Sequence, residues 1–206
     1  YSNRISRIDV NFFVGVENSI TIVMLFENRL EFIKKYHFAR LINLESLSLG
    51  TNKISSIEKG SFDDLYKLKK LDLSDNCLFH INEHLFVNMH SLVRLNLRNN
   101  QLARIDMRVF HGGNLNRTLK QLGLTGNQLE VFDTDTENVL NNLMQLELSH
   151  NTFLRKLSIS NLKNSLTGLL LEKCGARLKS LSSLNQFARL KYLYLTHATN
   201  DLLSNT

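Results

Sequence analysis

Two groups of polar side chains in this sequence have the spacing of metal ligands. The first is the pair His80 and His84, four positions apart with Glu83 between them. On a helix this spacing would put both imidazoles on one face, where they could bind a transition metal. The flanking sequence does not assure a helix, so we interpret the pair as two solvated surface histidines and expect no metal site.

The second group is acidic and consists of Asp133, Asp135 and Glu137, a set of oxygen ligands that would suit calcium. The order Thr134-x-x-Glu137 favours another interpretation, a capping box that begins a short helix. The apolar residues that this helix would bury are Val139, Leu140 and Leu143.

Catalytic chemistry has no recognisable setting elsewhere in the chain. No glycine-rich phosphate loop follows a predicted strand, and no nucleophile stands in a known motif. We therefore expect no catalytic residue, no cofactor and no enzymatic activity.

A repeated frame, L-x-x-L-x-L-x-x-N-x-L, organises most of the apolar residues. Its copies are 24, 24, 24, 27, 24, 23 and 24 residues apart. Asn3, Ile5 and Ile8 form the tail of an earlier copy. In the last two copies Cys174 and Ala198 replace the asparagine. The copies begin at Ile20, Leu44, Leu68, Leu92, Leu119, Leu143, Leu166 and Leu190.

The frame predicts a stack of short strands. Within each copy apolar and polar residues alternate, as in a half-buried strand, and each strand can pair with its copy in the next repeat. The outward positions are mostly polar, so one face of the resulting parallel sheet should be open to water. A second apolar set should close the core from the other side, and it comprises Phe38, Leu41, Phe62, Leu65, Phe86, Met89, Phe110 and Leu115.

The asparagine of each frame stands between inward-facing apolar residues and should be buried. A buried amide without partners costs about 1–3 kcal/mol, and its donors and acceptor can bond the backbone of two successive repeats. We expect a ladder along the stack that Cys174 continues weakly and Ala198 ends. Asn99, which is exposed, should matter little to stability. The predicted ladder residues are Asn28, Asn52, Asn76, Asn100, Asn127 and Asn151.

These frames resemble the leucine-rich repeat family in its typical 24-residue extracellular animal form, over nearly the whole chain. The resemblance implies an α/β fold, a right-handed solenoid with a parallel sheet on the concave face and short helices, 3-10 turns and loops on the convex face. Toll-type receptor ectodomains and secreted innate-immune proteins of arthropods are similar in style. The chain departs from that form in having no proline. The clearest match is the run Phe62, Leu65, Leu68, Leu71, Leu73 and Asn76.

We expect one domain over residues 1–206, with about eight repeats and a partial one at its start. Solenoids need polar caps at their ends. Since none is visible, we expect a fragment whose caps lie elsewhere, and any oligomer would form through those regions. The longest apolar stretch, Ile20 to Phe26, is far shorter than the roughly 20 residues that span a bilayer, so no membrane insertion is expected.

The two cysteines, Cys77 and Cys174, are predicted to be free thiols. They lie four repeats apart, which is roughly 19 Å at the spacing of paired strands. A disulfide requires Cα atoms within about 7 Å.

The sequence contains one N-glycosylation motif, Asn116-Arg117-Thr118, in the 27-residue repeat beside Gly112 and Gly113. We interpret it as a glycan site on an outward loop. Glycosylation would place the chain in an extracellular protein, either secreted or on the cell surface. The alternatives are a chance tripeptide and a cytoplasmic repeat scaffold.

The net charge of +6 raises the possibility of binding to a polyanion. The outward strand positions Lys70, Asp72, Arg94 and Arg98 form only a mixed patch with a modest basic excess. Nucleic acid is therefore not the expected partner, and binding of a polyanion stays an alternative.

Apolar residues at outward strand positions indicate a surface for a protein ligand or co-receptor. Large side chains on a water-facing strand mark interaction sites, and tyrosine is enriched at binding hot spots. We therefore predict a protein-binding module that uses its concave face. The outward apolar residues are Leu170, Tyr192 and Tyr194 at one end of the sheet, and Ile22, Met24 and Phe26 at the other. At both ends the alternative is packing against further repeats or a flanking domain, which we favour for Ile22, Met24 and Phe26.

Overall fold

The computed structural model describes residues 4–175 and 184–196, and its main feature is one eight-stranded parallel sheet. The strands of the chain are β1 Ile22–Met24, β2 Phe32–Ile33, β3 Ser46–Ser48, β4 Ser56–Ile57, β5 Lys70–Asp72, β6 Arg94–Asn96, β7 Gln121–Gly123, β8 Val131–Asp133, β9 Gln145–Glu147, β10 Lys156–Ser158, β11 Gly168–Leu170 and β12 Tyr192–Tyr194. The order in the main sheet is β1-β3-β5-β6-β7-β9-β11-β12, one strand from each repeat.

Strand register follows the repeat frame throughout this sheet. From β3 onward the central leucine of each strand lies opposite the central leucine of the next, as Leu71 lies opposite Leu95, and in β1 Val23 takes this place opposite Leu47. These side chains point inward and are buried, whereas Arg94 and Lys70 beside them point out. The predicted parallel solenoid is therefore confirmed.

The second apolar set closes the core from the opposite side. Phe38, Phe62, Phe86 and Phe110 are each at most 1% exposed, and the rings of Phe38 and Phe62 lie 6.1 Å apart between centroids. Helical segments are few and short among the described residues. They are α1, Leu115–Thr118, and three 3-10 helices at Met107–Phe110, Ser160–Leu162 and Leu184–Gln186.

The outer side carries short strands that the sequence analysis did not predict. There β2 pairs with β4, and β8 pairs with β10, both in parallel. The paired segments are rich in aromatic and β-branched residues, which favour extended backbone.

The prediction of a capping-box helix after Thr134 is wrong, because residues 135–138 form a turn. The Thr134 hydroxyl is fully buried and donates to Asn161 Oδ1 of the next repeat at 2.6 Å, so it does not cap its own segment. Asp133 instead accepts a hydrogen bond from the backbone N–H of Thr136. The expected burial does occur at Val139, Leu140 and Leu143.

The repeated asparagines form a continuous series of hydrogen bonds between neighbouring repeats. Asn76 shows the pattern: Oδ1 accepts from the Ile54 N–H at 2.9 Å, and Nδ2 donates to the carbonyls of Leu73 and Leu49 at 3.1 and 3.0 Å. Cys174 continues the series through a bond from Sγ to the Leu148 carbonyl. Ala198 lies outside the described residues. In all six ladder asparagines Oδ1 accepts an N–H of the preceding repeat, namely that of Ile5, Leu30, Ile54, Leu78, Leu102 and Leu129.

The residue before each ladder position turns the chain out of the strand with a left-handed backbone. Asn99 has a φ of 50°, and its Nδ2 donates to Asp75 Oδ1 at 2.7 Å. Asn99 is exposed, as expected, and this bond links its side chain to the preceding repeat. Positive φ values recur at the equivalent positions Glu27, Thr51, Asp75, Gly126, His150 and Lys173.

We predict that Asn100→Ala lowers the free energy of unfolding by about 1–3 kcal/mol, because the N–H of Leu78 would stay buried without an acceptor. Chemical denaturation measures the change. The matched control is Asn164→Ala, which removes an exposed amide that makes no hydrogen bond to the described residues. Equal midpoints for the two variants would contradict a stabilising ladder.

We also predict that Thr51→Asn raises the free energy of unfolding by about 1 kcal/mol. Thr51 has a φ of 52°, a conformation that is costly for a β-branched residue and better tolerated by asparagine. The comparison variant Thr152→Asn, at an exposed position without a positive φ, should leave the unfolding midpoint unchanged. A destabilised Thr51→Asn protein would mean that the threonine side chain makes a needed contact.

Candidate functional site on the concave face

Outward side chains of the main sheet form columns, because each repeat places the same position beside its predecessor. We define the concave face by three such columns. The first is Ile22, Ser46, Lys70, Arg94, Gln121, Gln145, Gly168 and Tyr192; the second is Met24, Ser48, Asp72, Asn96, Gly123, Glu147, Leu170 and Tyr194; the third is Phe26, Gly50, Ser74, Arg98, Thr125, Ser149 and Glu172.

The C-terminal end of the concave face is aromatic. Tyr192 and Tyr194 are 57% and 49% exposed, and the register places Tyr194 directly beside Leu170. Neither phenol makes a hydrogen bond to the described residues. Leu193 points inward yet is 39% exposed, so part of this exposure comes from the position of β12 at the edge of the sheet.

The N-terminal end of the concave face is aliphatic and also lies at a sheet edge. Ile22, Met24 and Phe26 are exposed on β1 and the residues that follow it. These three side chains lie at the opposite end of the sheet from the tyrosines, so the two apolar groups are separate surfaces.

The centre of the concave face carries the charged residues that the sequence predicted. Lys70, Arg94 and Arg98 are exposed, and none forms an ion pair with a described residue. Asp72 differs, because its Oδ1 accepts from Ser74 Oγ at 2.7 Å and from Asn96 Nδ2 at 3.0 Å. Its carboxylate is therefore engaged within the sheet and presents less charge to a partner than expected.

Sequence reasoning missed that the centre is a cleft. Two adjoining depressions share Arg98 and Glu147 as lining residues, and Gly123 and Gly126 lie between those two side chains. The side chains of Asn96 and Asn99 lie against these two glycines, where a Cβ would meet their Oδ1 atoms. The signal was available in the repeat frame, because Glu147 and Gly123 occupy the same outward column.

The side chains first considered as metal ligands are not gathered into a site. His80 and His84 are both exposed, and His84 Nε2 lies 3.4 Å from a Glu83 carboxylate oxygen. Across the portion of the chain that the structure describes, no three His, Cys, Asp or Glu side chains meet as a metal site would require.

The glycosylation motif lies in a different setting from the outward loop that we expected. Asn116 belongs to α1, is half-buried, and its Oδ1 accepts from the backbone N–H of Asn141 at 2.8 Å. The expectation of a protruding loop is wrong, because Gly112 and Gly113 press the chain against the preceding repeat. A Cβ at Gly112 would lie 2.7 Å from Val87 Cα. Nδ2 of Asn116, the atom that would bear a glycan, makes no hydrogen bond to the described residues.

A model of the leucine rich repeat family matches the chain in three overlapping segments, residues 18–78, 42–102 and 66–115. Residues 18–115 belong to the leucine-rich repeat family. No curated protein matches the sequence of this leucine-rich repeat chain. Among its described residues, no helix is long and apolar enough to cross a bilayer.

Solved structures with the same leucine-rich repeat fold include three that cover almost the whole chain. The leucine-rich repeat domain of APL1B aligns over 95% of the chain with a TM-score of 0.70 and 20% identity. Toll, in the Toll–Spatzle complex of Drosophila, aligns over 93% with a TM-score of 0.67 and 20% identity. TLR13, in its complex with ssRNA13, aligns over 93% with a TM-score of 0.63 and 22% identity. The chain spans 62%, 30% and 28% of these three structures, respectively.

The two cysteines of the leucine-rich repeat chain are free, as expected, and differ in environment. Burial raises the pKa of the Cys174 thiol to about 11, whereas Cys77 is half-buried.

We predict that iodoacetamide at pH 8 modifies Cys77 while Cys174 stays unmodified in the folded protein, because only the thiolate reacts. Mass spectrometry of tryptic peptides measures both sites. Equal labelling would show that the Cys174 repeat opens readily, and labelling in denaturant provides the control.

Proposed function

We propose that this chain is a non-enzymatic protein-binding module of a secreted or cell-surface recognition protein and that its concave face contacts the partner. The observation that carries the proposal is that large side chains on this face take no part in the core or the asparagine ladder. Tyr192 and Tyr194 are exposed, and Arg94 and Arg98 have no acidic partner among the described residues. Exposed aromatic and arginine side chains are the groups that dominate binding energy at interfaces.

The extracellular assignment is supported by two observations of different kinds. The chain has one glycosylation motif, and Nδ2 of its half-buried Asn116 makes no hydrogen bond to the described residues. The fold is similar to that of Toll in its complex with Spatzle, which the Drosophila structure connects with innate immunity. A cytoplasmic scaffold with the same fold is the alternative to this assignment.

A polyanion is the second candidate partner. The net charge of +6 and the exposed Lys70, Arg94 and Arg98 favour it, and the similar TLR13 structure is a complex with ssRNA13. The carboxylates of Glu147 and Glu172 lie on the same face and would repel phosphate groups. We therefore favour a protein ligand or co-receptor.

We predict that the chain, expressed behind a signal peptide in a eukaryotic secretory host, carries one N-linked glycan on Asn116. Intact mass and peptide mapping measure it, and Thr118→Ala is the control that removes the motif while keeping the asparagine. Folded, secreted protein without sugar at Asn116 would favour the cytoplasmic scaffold instead.

We predict that Tyr192→Ala and Tyr194→Ala each weaken binding by about 1–3 kcal/mol, measured against a partner captured from native extracellular material. Tyr66→Ala is the matched control, since Tyr66 is 41% exposed but lies outside the main sheet and stacks on His90. Circular dichroism checks that each variant folds. If both concave variants bind as the wild type does, the tyrosine surface does not contact the partner.

A further inference from the structure

The central cleft of the concave face has walls of opposite charge. Arg94 and Arg98 on and after β6 form one wall, and Glu147 on β9 and Glu172 after β11 form the other. The floor between them belongs to the β7 repeat. It includes Gln121, Gly123, Thr125 and Gly126, none of which is charged.

None of the four charged wall side chains forms an ion pair within the described part of the protein. No ion pair joins Arg94 or Arg98 to a carboxylate there, and none joins Glu147 or Glu172 to a cation. Other charges on this molecule do find partners in neighbouring repeats, as Lys69 does with Glu45 at 2.8 Å. The position of the walls explains the difference, because a full repeat whose outward residues Gln121, Gly123 and Thr125 are uncharged separates them.

The width of the cleft follows from the strand spacing. In the main sheet β9 lies two strand positions from β6, and β11 lies three positions from it. At the usual spacing of paired strands, the two walls are therefore about 10 to 14 Å apart. An extended segment advances about 3.3 Å per residue and points alternate side chains to one face, so residues i and i+4 lie about 13 Å apart on one side.

We propose that the central cleft binds an extended polypeptide segment that carries an acidic and a basic side chain about four residues apart. The acidic side chain pairs with Arg94 and Arg98, and the basic side chain pairs with Glu147 and Glu172. Arginine is suited to the first pairing because its guanidinium can hold a carboxylate with two parallel hydrogen bonds. This inference rests on the proposed function and specifies the chemistry of the protein partner.

Charge complementarity excludes the simpler occupants of the cleft. A uniform polyanion would satisfy the arginine wall and place its next phosphates against Glu147 and Glu172. A purely basic segment would pair with Glu147 and Glu172, but its next positive charges would lie against Arg94 and Arg98. Only an occupant with both signs of charge complements both walls, and such complementarity gives an interface its specificity.

A library of random dodecapeptides displayed on phage, selected on the wild-type chain, tests the inference. We expect enriched peptides to carry one acidic and one basic residue four positions apart. For a synthetic copy of one such peptide, Arg94→Glu with Arg98→Glu should raise Kd by about tenfold or more. Changing the acidic residue of the peptide to lysine should restore binding to this variant and weaken binding to the wild type.

The control variant carries Arg104→Glu with Lys163→Glu, which changes the net charge equally at exposed residues without a described ion pair and outside the concave face. It should bind the peptide as the wild type does. Enriched peptides that are indifferent to both double variants would overturn the inference and leave the proposed function standing. Enrichment of acidic peptides alone, with competition by oligouridylate, would identify a polyanion site and overturn it as well. A selection that enriches no peptide would count against the proposed function itself.

Discussion

A buried amide shared between two neighbouring repeats is the interaction on which this structure depends. One repeat has no interior, since its strand has three residues and its central leucine is covered only when another repeat stacks beside it. Leucines alone would set the contact without fixing the register. The asparagine does fix it, because its Oδ1 and Nδ2 reach backbone groups of two repeats at 2.9–3.1 Å, as at Asn76. A shift of one residue would leave these groups buried and unpaired.

The same constraint determines which residues remain available for binding a partner. The inward leucines form the core, and the asparagines form the ladder. The left-handed residue before each asparagine is committed to reversing the chain. Residues of the outward columns belong to neither the leucine core nor the asparagine ladder. These positions can therefore hold apolar, charged or aromatic side chains without disrupting the fold. This freedom explains why a single sheet holds Ile22 at one end, an Arg94 and Glu147 cleft in the middle and Tyr192 at the other end.

Sequence alone predicted whatever depends on the repeat period, because the period sets which side chains share a column. The sheet, its register and the tyrosine surface follow from counting residues in the frame. Expectations drawn from short local motifs did less well. Thr134 has the spacing of a capping box, but its hydroxyl bonds Asn161 one repeat away, a contact that no local window contains. Asn116 likewise bonds Asn141 rather than facing solvent on a loop. The central cleft was missed because its lining side chains come from different repeats, and the frame that aligns them does not say how much space they leave between them.

Native-state hydrogen exchange tests most directly whether the asparagine ladder holds the repeats together. The amides to follow are those of Ile54, Leu78 and Leu102, which donate to ladder asparagines. The comparison amides are those of Phe79 and Arg104, which donate to no described residue. We expect the ladder amides to exchange only through cooperative unfolding of the solenoid, orders of magnitude more slowly than the comparison amides. Ladder amides that exchange as fast as those of Phe79 and Arg104 would contradict the account.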